Sequence, residues 1–360
     1  MNDDGLEPTE NGWISSDTCG PSVAGGRNGQ AGPLLRIVGG TVASDAEAAG
    51  CGPAADGSSV HNADVATAAA EALQLATALA VHPDYRVLRR LDLATGNTGL
   101  GTRDAPFIGV AIDVETTGID HARDVVIELA LRRFRYNRDG LIVAIDRSYS
   151  WLEDPGRPVS IEIARLTGLT DSDLEGQSID DDAVVRLLRS ADVVVAHNAS
   201  FDRKFVERRL PGAAGLAWAC SCSEIDWRAH GFDGRALGWL LGQTGWFHGG
   251  HRAAADVDAV ISLLRHRLGD GRTALAVMME RVNRDSWIVR ARGAAFEVKD
   301  LLRMRGFRWD AERKLWWREV ADADRMQEEF WLAGHIYGPH ANARAVGPDF
   351  VRVTRFERHG

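Results

Sequence analysis

Asp113 and Glu115 stand two residues apart in the run "FIGVAIDVETTG", which is otherwise apolar up to its end. A carboxylate is costly to bury, and two together cost more, because each raises the energy of the other. On a strand, residues i and i+2 point to one face, so both side chains project together. Paired carboxylates supply the hard oxygen ligands that Mg²⁺ and Mn²⁺ prefer. The "TTG" that follows offers a turn with exposed backbone N–H groups. Set against this, D-x-E is common on solvated faces. The apolar context favours metal binding, since a strand of this composition is buried on both faces until its end.

Two further clusters carry groups of the same kind. In "VVVAHNASFDRKFV" an apolar strand runs through a polar turn into a helix. Asp202 falls in the first turn of that helix, where the macrodipole favours a negative charge. It is either an ordinary first-turn acid or a third carboxylate at the carboxyl end of a neighbouring strand, where α/β sheets gather their sites. In "HRAAADVDAV", Asp256 lies within a helix and His251 precedes it. Five residues make about 1.4 turns, so the two do not share a helical face. His251 can instead hang from the preceding loop above the same site. A neutral imidazole suits proton abstraction near neutral pH, although a lone loop histidine is more often a surface residue.

The elements needed to position these groups are legible. "FIGVAIDV", "VVIELALRRFRY" and "GLIVAIDRSYSWL" read as three strands, the last two joined by the turn "NRDG". "SIEIARLTGLT" reads as a short helix, "ADVVVAHNAS" as a buried strand, and "LAWACS" as another. Ser200 is placed to cap the helix "FDRKFVERRL". "GRALGWLLGQTG" and "RAAADVDAVISLLRHRL" complete an α/β pattern with a mixed sheet and helices on its faces.

The rest of the chain divides by texture. Residues 1–60 are rich in Gly, Ala, Ser and Asp and are expected to be disordered. Residues 61–103 read as a helix, a short strand and a linker. Residues 271–338 read as a small α+β domain holding five of the eleven tryptophans, and 339–360 as a tail. Within the small domain "GFRWDAERKLWW" interleaves Arg and Lys with aromatics. It fits a platform for single-stranded nucleic acid, and it equally fits a small core that needs Trp to form. Phe201 and Trp218 carry the same pair of readings, stacking on bases or packing in a core.

Bulk properties narrow the class. The net charge of −9 argues against a protein that coats polyanions non-specifically. An enzyme with acidic metal ligands escapes that objection, because its cations supply the positive charge. Cys19, Cys51, Cys220 and Cys222 lack zinc-finger spacing and read as reduced thiols. No apolar run approaches the roughly 18 residues needed to span a bilayer. The acidic start "MNDDGLEPTE" lacks the basic opening of a signal peptide, so a cytoplasmic, membrane-free protein is expected.

In order and context, D-x-E-T-T-G, H-N-A-x-F-D and H-x-A-x-x-D-x-x-A resemble the three motifs of the DEDD exonuclease superfamily, and the histidine marks its DEDDh branch. The resemblance covers residues 104–270, and "ARLTGLTD" also looks like the family segment after the third strand. It is similar to the epsilon proofreading subunit of bacterial DNA polymerase III and its stand-alone homologues. It implies a ribonuclease-H-like fold, a mixed five-stranded sheet flanked by helices, and 3′–5′ hydrolysis of the terminal phosphodiester with two divalent ions, Mg²⁺ or Mn²⁺. By that resemblance Asp113, Glu115 and Asp256 hold one ion, Asp113 bridges to the second with help from Asp202, and His251 is the general base. Thr116, Thr117, Gly118, Asn198 and Phe201 are the implied substrate contacts. The expected partner is the 3′ end of single-stranded DNA. RNA, or a vestigial centre in a binding or scaffold protein, are the alternatives. No polymerase-binding tail is recognisable, which favours a stand-alone enzyme.

Overall fold

The computed structural model describes residues 58–101, 104–338 and 347–360. The disorder expected of residues 1–60 thus falls, except for its last three positions, outside the described residues. Two compact units are present, one ending at Leu88 and one running from Arg89 to Gly360. The first contains helix α1 (Ser58–Ala80).

The second unit opens with two short strands, β1 (Arg89–Arg90) and β2 (Gly96–Asn97). Three long strands follow, β3 (Phe107–Thr116), β4 (Val126–Tyr136) and β5 (Ile142–Leu152). After them come helices α2 (Ile161–Thr167), α3 (Asp171–Leu174) and α4 (Asp181–Arg189). Strand β6 (Val193–Ala196) leads into α5 (Ala199–Arg209), and β7 (Trp218–Cys220) into α6 (Leu237–Gln243). A short β8 (Trp246–Phe247) pairs with β1, and then come α7 (Ala253–Arg265) and α8 (Ala274–Val282).

The main sheet has the order β2-β5-β4-β3-β6-β7. Strands β3, β4 and β5 are antiparallel, while β6 and β7 run parallel to β3. This is the ribonuclease-H-like arrangement. It has one strand more than the five expected, because β2, read as linker, pairs with the outer edge of β5.

Side-chain parity sorts the two faces. Val110, Ile112 and Val114 pack with Phe205 and Val206 of α5, and Ala111 packs with Val257 and Val260 of α7. Asp113 and Glu115 share the parity of Ala111 and therefore belong to the α7 face. Trp218 is fully buried on the α5 face, which removes it from the base-stacking candidates. Burying a side chain of that size contributes roughly 3 kcal/mol.

Residues from Ser286 onward build a second, antiparallel sheet. Its strands are β9 (Ser286–Arg292), β10 (Arg308–Asp310), β11 (Leu315–Ala321) and β12 (Gly347–Val353), in the order β10-β11-β9-β12. Helices α9 (Lys299–Met304) and α10 (Arg325–Leu332) contribute to its core, with Leu302 and Leu332 packed on Val289, Ala291 and Val320.

Two sequence expectations need correction here. Helix α8, assigned with the small domain, puts Leu275, Met278 and Val282 into the core of the main sheet. The segment 347–353, assigned to a tail, is a strand paired along the whole of β9. Its apolar signal is short and follows Gly-Pro, so composition alone did not reveal it. The last residues are also anchored. Trp218 N–H donates to the Arg355 carbonyl, and the buried Arg358 pairs with Glu224 at 3.1 Å. Cys220 and Cys222 are buried and form no disulfide.

Candidate active site

Strand β3 leaves the core at its carboxyl end, and there its alternation brings Asp113 and Glu115 to one side. Helix α7 crosses the same face and carries Asp256 in its first turn. Oxygen atoms of Asp113, Glu115 and Asp256 lie within 4.8 Å of one another. Among the described residues no lysine or arginine forms an ion pair with any of the three.

Asp202 is not part of this trio. It sits in the first turn of α5, which packs on the opposite face of the sheet. Its Oδ1 accepts the Val114 N–H at 3.3 Å, and it is 2% exposed. It therefore meets the strand end from behind, inside the protein, and it lines the same cavity of about 410 Å³.

The charges are mutually costly. Asp113 is held well above the ordinary carboxylate range, first by burial and then by Asp202, Asp256, Glu115 and Glu128. Glu115 is pushed up to about 8 by burial, Asp256 and Glu128, with Arg252 opposing. Asp202 is also raised, chiefly by burial, against the pull of backbone N–H bonds from its own residue and Val114. A group of acids that repel each other in a low-dielectric pocket is one that a divalent cation would relieve.

His251 lines the cavity from the loop before α7, with a left-handed backbone at φ 63°. Its N–H donates to Asp256 Oδ2 at 2.9 Å. That bond ties the loop to the helix and leaves the ring without a hydrogen bond to any described residue. The other oxygen of Asp256 meets His248 Nε2 at 2.7 Å. His248 was not singled out in the sequence, although it lies three residues before His251 in the glycine-flanked "HGGH".

Glu128 was missed as well. It lies opposite Glu115 in the β3–β4 register and is 1% exposed. Its carboxylate accepts from Arg252 Nε at 3.2 Å, the Ala253 N–H at 3.3 Å and Ser150 Oγ at 3.1 Å. A lone acid in the apolar run "VVIELAL" was the available signal. Glu128 thereby clamps the start of α7, and with it the segment that presents both His251 and Asp256. We predict that Arg252→Ala lowers stability by about 2–3 kcal/mol, because it leaves a buried carboxylate short of its cation; the half-exposed arginine puts the cost below that of a fully buried pair. Thermal or urea melts measure this, and an unchanged midpoint would refute the clamp.

The implied substrate contacts separate into two groups. Thr116, Gly118, Asn198 and Phe201 line the cavity. Thr117 turns away from it. The Thr117 hydroxyl donates to Asp124 Oδ1 at 3.0 Å and its N–H to the Val125 carbonyl at 2.9 Å, so both groups serve the turn. Gly118 is needed sterically, since a Cβ there would stand 2.5 Å from Asp124 Oδ2. Asn198, in the left-handed region at φ 87°, is the N-cap position of α5. The capping role expected of Ser200 is therefore not observed. Ser200 is the second residue of α5, and its hydroxyl donates to Asn198 Oδ1 at 3.3 Å. Phe201 packs on Phe205 with centroids 4.8 Å apart and keeps an edge on the cavity, next to the exposed Ile119.

Residues 110–211, which span β3 to the end of α5, match the family model RNase_T, described as an exonuclease. This chain carries a DEDD-type exonuclease domain. The exonuclease domain is similar to part of the PolC-type DNA polymerase III of Listeria welshimeri, 36% identical over 116 residues, which are 32% of this chain and 8% of that protein. The same enzyme of Bacillus subtilis is 38% identical over 103 residues, 27% and 6% of the two chains. The chain thus spans under a tenth of the curated relatives it matches. Among solved structures, exonuclease X in complex with 5′ overhanging duplex DNA covers 48% of this chain and 99% of its own, at 23% identity and a TM-score of 0.35.

Proposed function

We propose that the chain is a metal-dependent 3′–5′ exonuclease that hydrolyses the terminal phosphodiester of DNA, with single strands favoured, and releases nucleoside 5′-monophosphates. The observation that carries this reading is the convergence of Asp113, Glu115 and Asp256 within an exonuclease domain, with no lysine or arginine ion-paired to them among the described residues. The donor set fits Mg²⁺ or Mn²⁺, being all hard oxygen and acidic. Asp113, Glu115 and Asp256 would hold one ion, and Asp113 with Asp202 the second. Bound divalent ions would supply a nucleophile active at neutral pH and positive charge at the phosphate.

The remaining work falls to the chain itself. His251, whose ring is unengaged at the cavity rim, accepts the proton of the attacking water. His248 orients Asp256 through its Nε2 contact with Oδ1. Phe201, Ile119 and Leu166 give the cavity an apolar wall for the terminal base and sugar. The polymerase named in the relatives favours DNA over RNA. Among the described residues no helix is long and apolar enough to cross a membrane.

A 5′-labelled single strand incubated with the full chain and Mg²⁺ should shorten stepwise from its 3′ end, and EDTA should stop it. RNA of the same sequence should be cut more slowly. Cleavage in the interior of the strand, or shortening that survives EDTA, contradicts the proposal.

A further inference from the structure

The C-terminal sheet has one face that its helices do not cover. Val289, Ala291 and Val320 point into the core with α9 and α10. By alternation Ile288, Arg290 and Arg292 of β9 point the other way, together with Leu315 and Trp317 of β11 and Arg308 of β10. The register places Arg308, Trp317, Arg290 and Asp349 in one row across the four strands. Neighbouring strands lie about 4.8 Å apart, so Trp317 has an arginine on either side.

Core formation accounts for three of the five tryptophans of this region and leaves out Trp317 and the exposed Trp309. Trp287, Trp316 and Trp331 pack on the small core. Trp309 leans on Trp316 at the sheet edge, with centroids 5.5 Å apart. Trp317, Ile288 and Leu315 belong to no buried cluster of the described residues.

The charges on this face are not evenly matched. Asp349 pairs with Arg290 at 3.4 Å and Asp310 with Arg313 at 3.6 Å, while Glu319 is engaged by Ser286 and Arg358. Arg292 and Arg308 form no ion pair among the described residues. Residues 271–360 contain 17 Lys and Arg against 13 Asp and Glu, whereas the whole chain contains 42 against 51. The region is thus net positive within an acidic protein, and the open face carries Arg292, Arg308 and the half-buried Trp317. Apolar side chains here are interrupted by arginines, which disfavours a second copy or an apolar protein partner. A single strand offers both kinds of complement, base faces for the indole and phosphates for the arginines. A duplex hides its base faces.

The foot of the same sheet leads toward the catalytic cavity. Ser286 and Ala321 line a groove of about 450 Å³ of mixed charge, in which Glu224, Glu280 and Asp285 are paired with arginines while Arg235 and Arg281 form no ion pair among the described residues. The Arg235 carbonyl accepts from His197 Nε2 at 2.7 Å, and His197 lines the catalytic cavity.

We propose that the open face around Trp317, Arg308 and Arg292 binds single-stranded nucleic acid on the 5′ side of the end held in the cavity. This rests on the exonuclease reading above and deepens it by giving the substrate a second, remote contact.

The test compares Trp317→Ala, and separately Arg292→Gln with Arg308→Gln, in the full chain with Mg²⁺. Substrates are a tetranucleotide, too short to reach the sheet, and a long single strand with the same 3′ end. Trp317→Ala should raise KM for the long strand about tenfold, with kcat and all tetranucleotide constants unchanged. The double arginine variant should flatten the dependence of log KM on log salt by about 1.4, two phosphates at about 0.7 each. Direct binding of the labelled long strand, measured by anisotropy without divalent ion, should weaken in parallel. Normal KM and normal binding in both folded variants overturn the proposal while leaving the exonuclease reading intact. A wild-type chain that degrades nothing sinks the exonuclease reading, and the anisotropy arm still decides the face. A shift from a multimer to a monomer in either variant, with strand binding unchanged, assigns the face to a second copy and overturns it as well.

Discussion

Asp113→Asn is expected to lower kcat by at least about 10⁴-fold, with strand binding retained. Asp113 is the carboxylate on which every other acid of the site acts, Asp202, Asp256, Glu115 and Glu128 alike. In the proposed scheme it serves both ions, so its loss removes the shared ligand rather than one of several. Each tenfold in rate corresponds to about 1.4 kcal/mol, so the loss amounts to more than about 5 kcal/mol of transition-state stabilisation. The substitution should not damage the fold. Asparagine is of nearly the same shape, and it removes a charge that its neighbours oppose. The variant should therefore melt at or above the wild-type temperature in EDTA. Asp202→Asn makes a useful comparison, because an amide oxygen can still accept the Val114 N–H. Steady-state rates on a labelled strand, with melts alongside, decide the matter. If Asp113→Asn keeps a rate within tenfold of wild type, these carboxylates are not the catalytic centre.

What could be read from the sequence was whatever repeats with a short period or lies in a contiguous run. The period-two pattern of "FIGVAIDVET" placed Asp113 and Glu115 on one face, and the structure has them there, facing α7. The succession of apolar strands and helices gave the mixed sheet. Pairing partners were not legible, because they depend on residues distant in sequence. Glu128 looks like an isolated acid until the register sets it opposite Glu115 and the Arg252 side chain arrives from α7. His248 is eight positions from Asp256 but lies outside α7, which begins at Ala253, so no single helical or strand period relates the two. The loop between them brings the ring to the carboxylate. Thr117 shows how neighbours in sequence can part in space. Its position beside Thr116 suggested a shared role, but the bulge between Glu115 and Thr116 ends the regular pairing, and Thr117 is spent on holding Asp124. Strand β2 and strand β12 escaped for a different reason. Two residues, or one short apolar run after Gly-Pro, give too little pattern to distinguish a strand from a linker.

A second large effect follows from protons and cations competing for one cluster. Asp113, Asp202 and Glu115 all bind a proton more tightly in the folded chain than in the unfolded one, with burial the first cause in each case. Groups raised in this way stabilise the fold fully below their unfolded pKa, and that contribution is lost as pH rises through the folded value. For Glu115 the window runs from the ordinary 4.5 to about 8. Metal-free protein should therefore lose stability across that window, and Glu115→Gln should lose less. One pKa unit is worth about 1.4 kcal/mol, so the shift of Glu115 alone commits a few kcal/mol. Divalent ions replace the protons and relieve the same repulsion. Mg²⁺ should raise the melting temperature more at about pH 8, where the acids are charged, than at about pH 6, where protons already occupy them. Melts at both pH values, with EDTA and with Mg²⁺, test this for the wild type and Glu115→Gln. An equal Mg²⁺ effect at the two pH values, or a Glu115→Gln protein with the wild-type pH dependence, would mean that the cluster does not exchange protons for metal, and the electrostatic case for an ion at this site would fail with it.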